Sequence, residues 1–84
     1  MIICVDCAGI EDAATLHSLL AEALTLPDWY GHNLDALYDC LTELEDAVQL
    51  VLVNWDDGAA FAEGFAGVFE DAQSDNPDFS VKYQ

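Results

Sequence analysis

The hydrophobic positions of the chain change period several times, which divides it into short strands and amphipathic helices. An apolar run at Ile2–Val5, ahead of Gly9, predicts a buried strand. A first helix follows, because Asp12 is a favourable N-cap and Pro27 marks an end. Its apolar positions fall at i, i+3, i+4, i+7 and i+8 and are Leu16, Leu19, Leu20, Ala23 and Leu24.

A second helix is predicted from Asn33 to about Leu44, because Asn33 can cap it and residues 27–32 have the composition of a loop. This helix has two distinct faces. Its apolar stripe consists of Leu34, Leu37, Leu41 and Leu44. On the other side, three carboxylates follow one another at i+4 steps, namely Asp35, Asp39 and Glu43.

The remainder of the chain predicts a strand, a helix and a final strand. Val48–Asn54 is apolar on both faces and is typical of a central strand. A third helix is expected to start at Asp56 or Asp57, with an apolar face of Phe61, Phe65, Val68, Phe69 and Ala72. This segment contains three glycines, which indicate fraying or close packing against a neighbour: Gly58, Gly64 and Gly67. After Pro77, a half-buried edge strand is predicted from alternating Phe79, Val81 and Tyr83.

This order of elements predicts an α/β fold with a three-stranded parallel sheet and right-handed crossovers. If the strands lie in sequence order, both connections place their helices on the same face, which gives two layers. A chain of 84 residues is too short for two hydrophobic cores. We therefore expect a single domain over residues 1–84.

The charge of the chain is extreme and limits the partners it can have. Seventeen acidic residues face one basic residue, Lys82, which gives a formal net charge of −16. Nucleic acid and anionic membranes are therefore poor partners, and a basic protein is favoured. No apolar run is long enough to span a bilayer and no signal-like segment follows Met1, so we expect a cytoplasmic protein.

The three cysteines, Cys4, Cys7 and Cys40, are odd in number, which argues against a closed disulfide framework. Cys4 and Cys7 form a lone C-x-x-C without a second pair of ligands for zinc. We therefore expect neither a metal nor another cofactor.

The second helix and the loop before it carry the features most typical of a binding face. Its three like charges oppose helix stability, and aromatic side chains of Trp29 and Tyr38 lie beside them, whereas Tyr30 is expected in the core. The simpler interpretation is a solvated helix face, because 17 carboxylates will place some at i+4 by chance. Composition alone favours this simpler interpretation.

The segment Leu26–Leu41, LPDWYGHNLDALYDCL, resembles the signature loop and helix of the barstar family, and the resemblance extends over the whole chain. Members of this family inhibit guanyl-specific ribonucleases of the barnase type. The resemblance implies a two-layer barstar-like fold and stoichiometric inhibition rather than catalysis. It also implies a 1:1 complex with a basic, extracellular-type ribonuclease, formed by a protein that is a monomer when free.

The resemblance also implies roles for individual residues. Asp39 matches the family's aspartate that enters the phosphate pocket of the nuclease, and Asp35 matches its second principal carboxylate. Trp29 stands where the family has a tyrosine, Tyr38 where it commonly has a tryptophan, and His32 where it has an acidic residue. With Asp71 in place of a family glutamate, the expected partner-binding residues are Trp29, Gly31, Asn33, Asp35, Tyr38, Asp39, Glu43 and Asp71.

Two other classes of function compete with this interpretation. A hydrolase could use Asp35 and Asp39 as an acid–base or metal pair, but the sequence offers no nucleophile–base pair and no phosphate-binding glycine loop. An acidic adaptor or decoy for a basic protein other than a nuclease would use the same physical features, so the sequence alone does not separate it from an inhibitor.

Overall fold

The computed structural model describes all 84 residues and contains three strands and three helices. In chain order they are β1 (Ile2–Asp6), α1 (Ala13–Ala23), α2 (Leu34–Thr42), β2 (Val48–Val53), α3 (Ala62–Asp75) and β3 (Phe79–Tyr83). The sheet is parallel with strand order β1-β2-β3, and its register aligns Cys4, Val51 and Lys82 across the three strands. The predicted order of elements, the parallel sheet and the central position of the second strand are confirmed.

One face of the sheet packs against the helices and forms the core. Alternate side chains of a strand point to opposite faces, so Val48, Leu50 and Leu52 of β2 share one side. These three belong to a cluster of 16 buried residues that includes side chains from all three helices. The helical members of the cluster are Leu16, Leu20, Leu37, Cys40, Leu41, Phe65, Phe69 and Ala72. The predicted two-layer arrangement follows from this packing.

The prediction that the first strand is buried is wrong for most of its length. Within the run Ile2–Val5 only Val5 is buried, while Ile2 is 68% exposed and Cys4 is exposed. The physical reason is that β1 lies at the edge of the sheet and the helices cover only one of its faces.

The first two helices end before the residues that the sequence indicated. At the end of α1 the Leu26 amide donates to the Ala21 carbonyl at 2.9 Å and the Thr25 amide donates to the Glu22 carbonyl at 3.3 Å. This pair of bonds is a Schellman motif, with Thr25 in the left-handed region at a φ of 52°. The second helix ends at Thr42 instead of Leu44.

None of the three helices has the length and the apolar character that are needed to span a bilayer.

The prediction that the third helix starts at Asp56 or Asp57 is wrong, because α3 begins at Ala62. The Asp56 carboxylate accepts a hydrogen bond from the Gly58 amide at 2.9 Å, and the Ala59 amide donates to the Asp56 carbonyl at 3.2 Å. Asp56 therefore stabilises a turn and does not cap a helix, because its side chain accepts a hydrogen bond from the backbone amide two residues later.

A buried asparagine connects the end of α3 to the end of α2. The Asn76 side-chain amide donates to the Leu41 carbonyl at 3.0 Å, and its oxygen accepts from the Asp78 amide at 3.0 Å. Leu41 lies in the last turn of α2, where helical carbonyls lack partners within the helix. Asn76 thus satisfies an otherwise unpaired carbonyl and fixes α3 against α2.

Two glycines of α3 provide a matched test of helix packing. A Cβ atom at Gly64 would lie 2.9 Å from Leu34 Cδ1, whereas a Cβ at Gly67 would meet nothing within 4 Å. Gly67→Ala should raise the free energy of unfolding by about 1 kcal/mol through helix propensity. Gly64→Ala should gain less or lose stability, because Leu34 must move. Urea denaturation measures both, and equal gains would contradict the packing described.

Candidate functional site

The loop of residues 24–33 joins α1 to α2 and is fixed to the start of α2 by Asn33. The Asn33 side-chain oxygen accepts a hydrogen bond from the Ala36 amide at 2.8 Å, which confirms the predicted N-cap. The Asn33 side-chain nitrogen donates to the Gly31 carbonyl at 3.3 Å. A Cβ at position 31 would lie 2.9 Å from that nitrogen, so Gly31 leaves room for the bond.

A buried pair of polar rings holds the same loop against the helices. The Tyr30 hydroxyl and His17 Nδ1 are hydrogen-bonded, and the His17 and Phe65 ring centroids lie 4.7 Å apart. Burial raises the pKa of Tyr30 to about 12. Burial, with a further contribution from the charge of His32, lowers the pKa of His17. Both rings are therefore neutral at pH 7, and their bond links α1 to the loop.

The core position of Tyr30 was predicted, but the role of His17 was missed. His17 is buried, with only 4% of its surface exposed. Its spacing from Leu20 and Leu24, at i+3 and i+7, is the signal that indicates an inward-facing position on α1.

The three carboxylates of the second helix form an exposed row that we call the acidic ridge, defined as Asp35, Asp39 and Glu43. Asp35 lies in the first turn of α2, where the helix dipole favours a negative charge. Glu43 is the C-cap residue and extends the row beyond the helix. No ridge side chain accepts a hydrogen bond within the chain, unlike the carboxylates of Asp6, Asp12, Asp56 and Asp75.

Tyr38 borders the ridge on the side that faces α3. It is half-buried, and its hydroxyl donates a hydrogen bond to the Asp75 carboxylate. The pKa of Tyr38 is raised, first by this hydrogen bond, then by desolvation and by the nearby charges of Asp75, Asp71 and Asp39. The structure therefore brings the predicted residues Tyr38, Asp39 and Asp71 close together. Asp75 was not predicted, although its position four residues after Asp71 places both on one face of α3.

A cavity borders the other side of the ridge. Its lining includes two of the predicted residues, Trp29 and Glu43.

 This cavity has a volume of about 210 Å³. The indole of Trp29 is 60% exposed. The residues that line the cavity are Leu24, Thr25, Leu26, Pro27, Trp29, Cys40, Glu43 and Leu44. The ridge is thus bordered by aromatic surface on both sides.

This arrangement has the features of a surface that binds a basic partner. No group of three or more His, Cys, Asp or Glu side chains is placed to hold a metal ion. The Asn33 side chain already bonds to the backbone, which leaves it less available to a partner than the sequence suggested. The ridge offers unpaired anionic acceptors next to aromatic side chains, a combination that complements arginine and lysine on a protein surface.

Comparisons with known proteins agree with this description. The model of the family described as Barstar (barnase inhibitor) matches residues 1–84, and the chain therefore belongs to the barstar family. The chain is also similar to a protein of Bacillus subtilis (strain 168) named "Putative ribonuclease inhibitor YrdF". The two are 41% identical over 70 residues, which cover 82% of this chain and 72% of that protein. Both matches support a ribonuclease-inhibitor role.

The buried His17 predicts a dependence of stability on pH. Its pKa in the folded protein lies below the ordinary value of 6.5, so the unfolded chain binds the proton more readily. Stability should therefore fall as the pH drops below about 6.5, by at most about 1.4 kcal/mol per pH unit. Protonation at Nδ1 would also remove the acceptor for the Tyr30 hydroxyl. Urea denaturation between pH 7 and pH 5 measures this loss.

His17→Gln is the informative variant, because an amide oxygen can accept from Tyr30 but does not titrate. It should abolish most of the loss of stability between pH 7 and pH 5. His32→Gln, which changes the exposed histidine, should retain most of that loss. An unchanged pH dependence in His17→Gln would show that another group is responsible.

Proposed function

We propose that this protein inhibits a barnase-type, guanyl-specific ribonuclease by covering its basic active site with α2 and the loop before it. The observation that carries the proposal is the acidic ridge. Asp35 and Asp39 lie within the segment Leu26–Leu41, and Glu43 lies just beyond its end. None of the three side chains has a hydrogen-bond partner within the fold. The family match over the whole chain supports the inhibitor class. Inhibition by occlusion requires binding and no chemical step.

Asp39 is proposed as the principal contact, and Asp35 as the second. Both are exposed on α2, one turn apart, and can reach into a cleft together. A charge-assisted hydrogen bond between a carboxylate and a guanidinium is strong when both groups leave water fully paired. Because neither carboxylate has an internal hydrogen bond to break, binding does not have to displace one.

The surroundings of the ridge supply the rest of the proposed interface. Trp29 and Tyr38 offer large rigid surfaces, and their polar tips differ from those at the matching positions of the family, which can alter specificity. Asp71 adds a carboxylate from α3. The complete proposed set is Trp29, Gly31, Asn33, Asp35, Tyr38, Asp39, Glu43 and Asp71.

The net charge favours fast association with a basic enzyme. A charge of −16 attracts a cationic cleft over a distance comparable to the screening length, about 10 Å at 0.1 M salt. The same charge repels a second copy of this chain. We therefore propose a free monomer that forms a 1:1 complex with its nuclease.

Removing the principal carboxylate should cost far more affinity than removing one outside the site. Asp39→Ala is expected to weaken binding to barnase by about 2–5 kcal/mol, because its basic partners would remain buried and unpaired. Glu63→Ala is the matched control, since Glu63 is an exposed carboxylate in the first turn of α3 and lies outside the matched motif. Its effect should stay below about 0.5 kcal/mol.

Titration calorimetry with barnase, combined with a ribonuclease assay, provides the measurement. Equal small losses for the two variants would remove the ridge as the proposed site. Binding without inhibition by the unmodified protein would favour an adaptor over an inhibitor.

A further inference from the structure

One hydrogen bond joins the side chains of the two helices that border the proposed interface. The Tyr38 hydroxyl on α2 donates to the carboxylate of Asp75, the last residue of α3. It is the only side-chain to side-chain hydrogen bond between these helices. A second bond between the ends of these helices runs from the Asn76 side-chain amide to the Leu41 carbonyl.

The end of α3 is unfavourable for a carboxylate. Asp71 and Asp75 are like charges at i and i+4, and both lie near the negative end of the helix dipole. The last turn contains no basic residue that would offset them. The donor that Asp75 has in the fold is neutral, namely the Tyr38 hydroxyl.

The same hydroxyl lies near three carboxylates but has a single proton to donate. The charges of Asp39, Asp71 and Asp75 all act on Tyr38, and Asp75 alone receives its hydrogen bond. Asp39 and Asp71 are left without a donor. The bond thus fixes one carboxylate and leaves the other two available to a partner.

We infer that Asp75 is a positioning residue for ribonuclease binding. By accepting the Tyr38 hydrogen bond, it holds the ring and the end of α3 against α2, which sets the spacing between Asp39 and Asp71. This inference rests on the proposed function, since the spacing matters only if a basic partner binds both carboxylates. Asp75 acts through Tyr38 rather than as a charge that contacts the partner.

A double-mutant cycle distinguishes positioning from direct contact. Asp75→Ala and Tyr38→Phe should each weaken binding to barnase about threefold to tenfold, as expected for one lost hydrogen bond. The double variant should bind no more weakly than the weaker single variant. Asp75→Asn should weaken binding less than threefold, because its amide oxygen still accepts from Tyr38.

Glu70→Ala is the matched control, because it removes an exposed carboxylate of α3 that lies near Tyr83 and not near Tyr38. It should leave affinity nearly unchanged. Losses that multiply in the double variant, or an Asp75→Asn loss equal to that of Asp75→Ala, would overturn the inference and indicate a direct contact.

A readout in the free protein tests the bond without any nuclease. Asp75→Asn should lower the pKa of Tyr38, measured by NMR of the labelled ring, because an ionised acceptor holds the phenol proton more strongly. An unchanged Tyr38 pKa would overturn the inference. If the wild-type protein fails to bind barnase, both the proposed function and the inference fail. If the wild type binds but the affinity losses of the two single variants multiply in the double variant, the inference alone is overturned.

Discussion

The shortage of cations is the constraint on which the rest of this structure depends. With Lys82 as the only basic side chain, seventeen carboxylates must find neutral donors or remain unpaired. The structure pairs a few of them with backbone amides, an asparagine or a tyrosine, as at Asp6, Asp12, Asp56 and Asp75. Cohesion must therefore come from the apolar cluster beneath the helices and from backbone hydrogen bonds. The ridge carries charge that the fold itself leaves unpaired.

Such a surface depends on a rigid support, and neutral buried groups provide it. The His17–Tyr30 pair holds the loop before α2, and Asn76 holds the end of α2. Asn33 fixes the first turn of the helix. Repulsion along the ridge therefore acts on a helix that is held at both ends. Packing in the core offsets the unfavourable free energy of that repulsion.

Local patterns in the sequence predicted much of the fold but not the contacts between distant residues. The Asp12 and Asn33 caps and the central strand follow from nearest neighbours and periodicity, and the structure confirms them. The start of α3 was predicted wrongly because an aspartate such as Asp56 can direct either a cap or a turn.

In the candidate site, too, the local pattern was predicted from the sequence and the contacts between distant residues were not. The spacing of the ridge residues along one helix face could be predicted from the sequence. The motif also indicated Trp29 and Tyr38 as residues of the binding face. The pairing of Tyr38 with Asp75, 37 residues away, depends on how α2 packs against α3. The pairing of His17 with Tyr30 likewise depends on the path of the loop, which no periodicity describes.

The measurement that tests this account most directly compares the stability and inhibition of wild type and Asp39→Asn. This substitution keeps the shape of the side chain and removes its charge. If the carboxylate has no partner within the fold, the variant should be more stable at low salt by a few tenths of a kcal/mol. The difference should narrow at high salt, and inhibition of barnase should be lost. A variant that is less stable at low salt, or that still inhibits as well as wild type, would contradict the account.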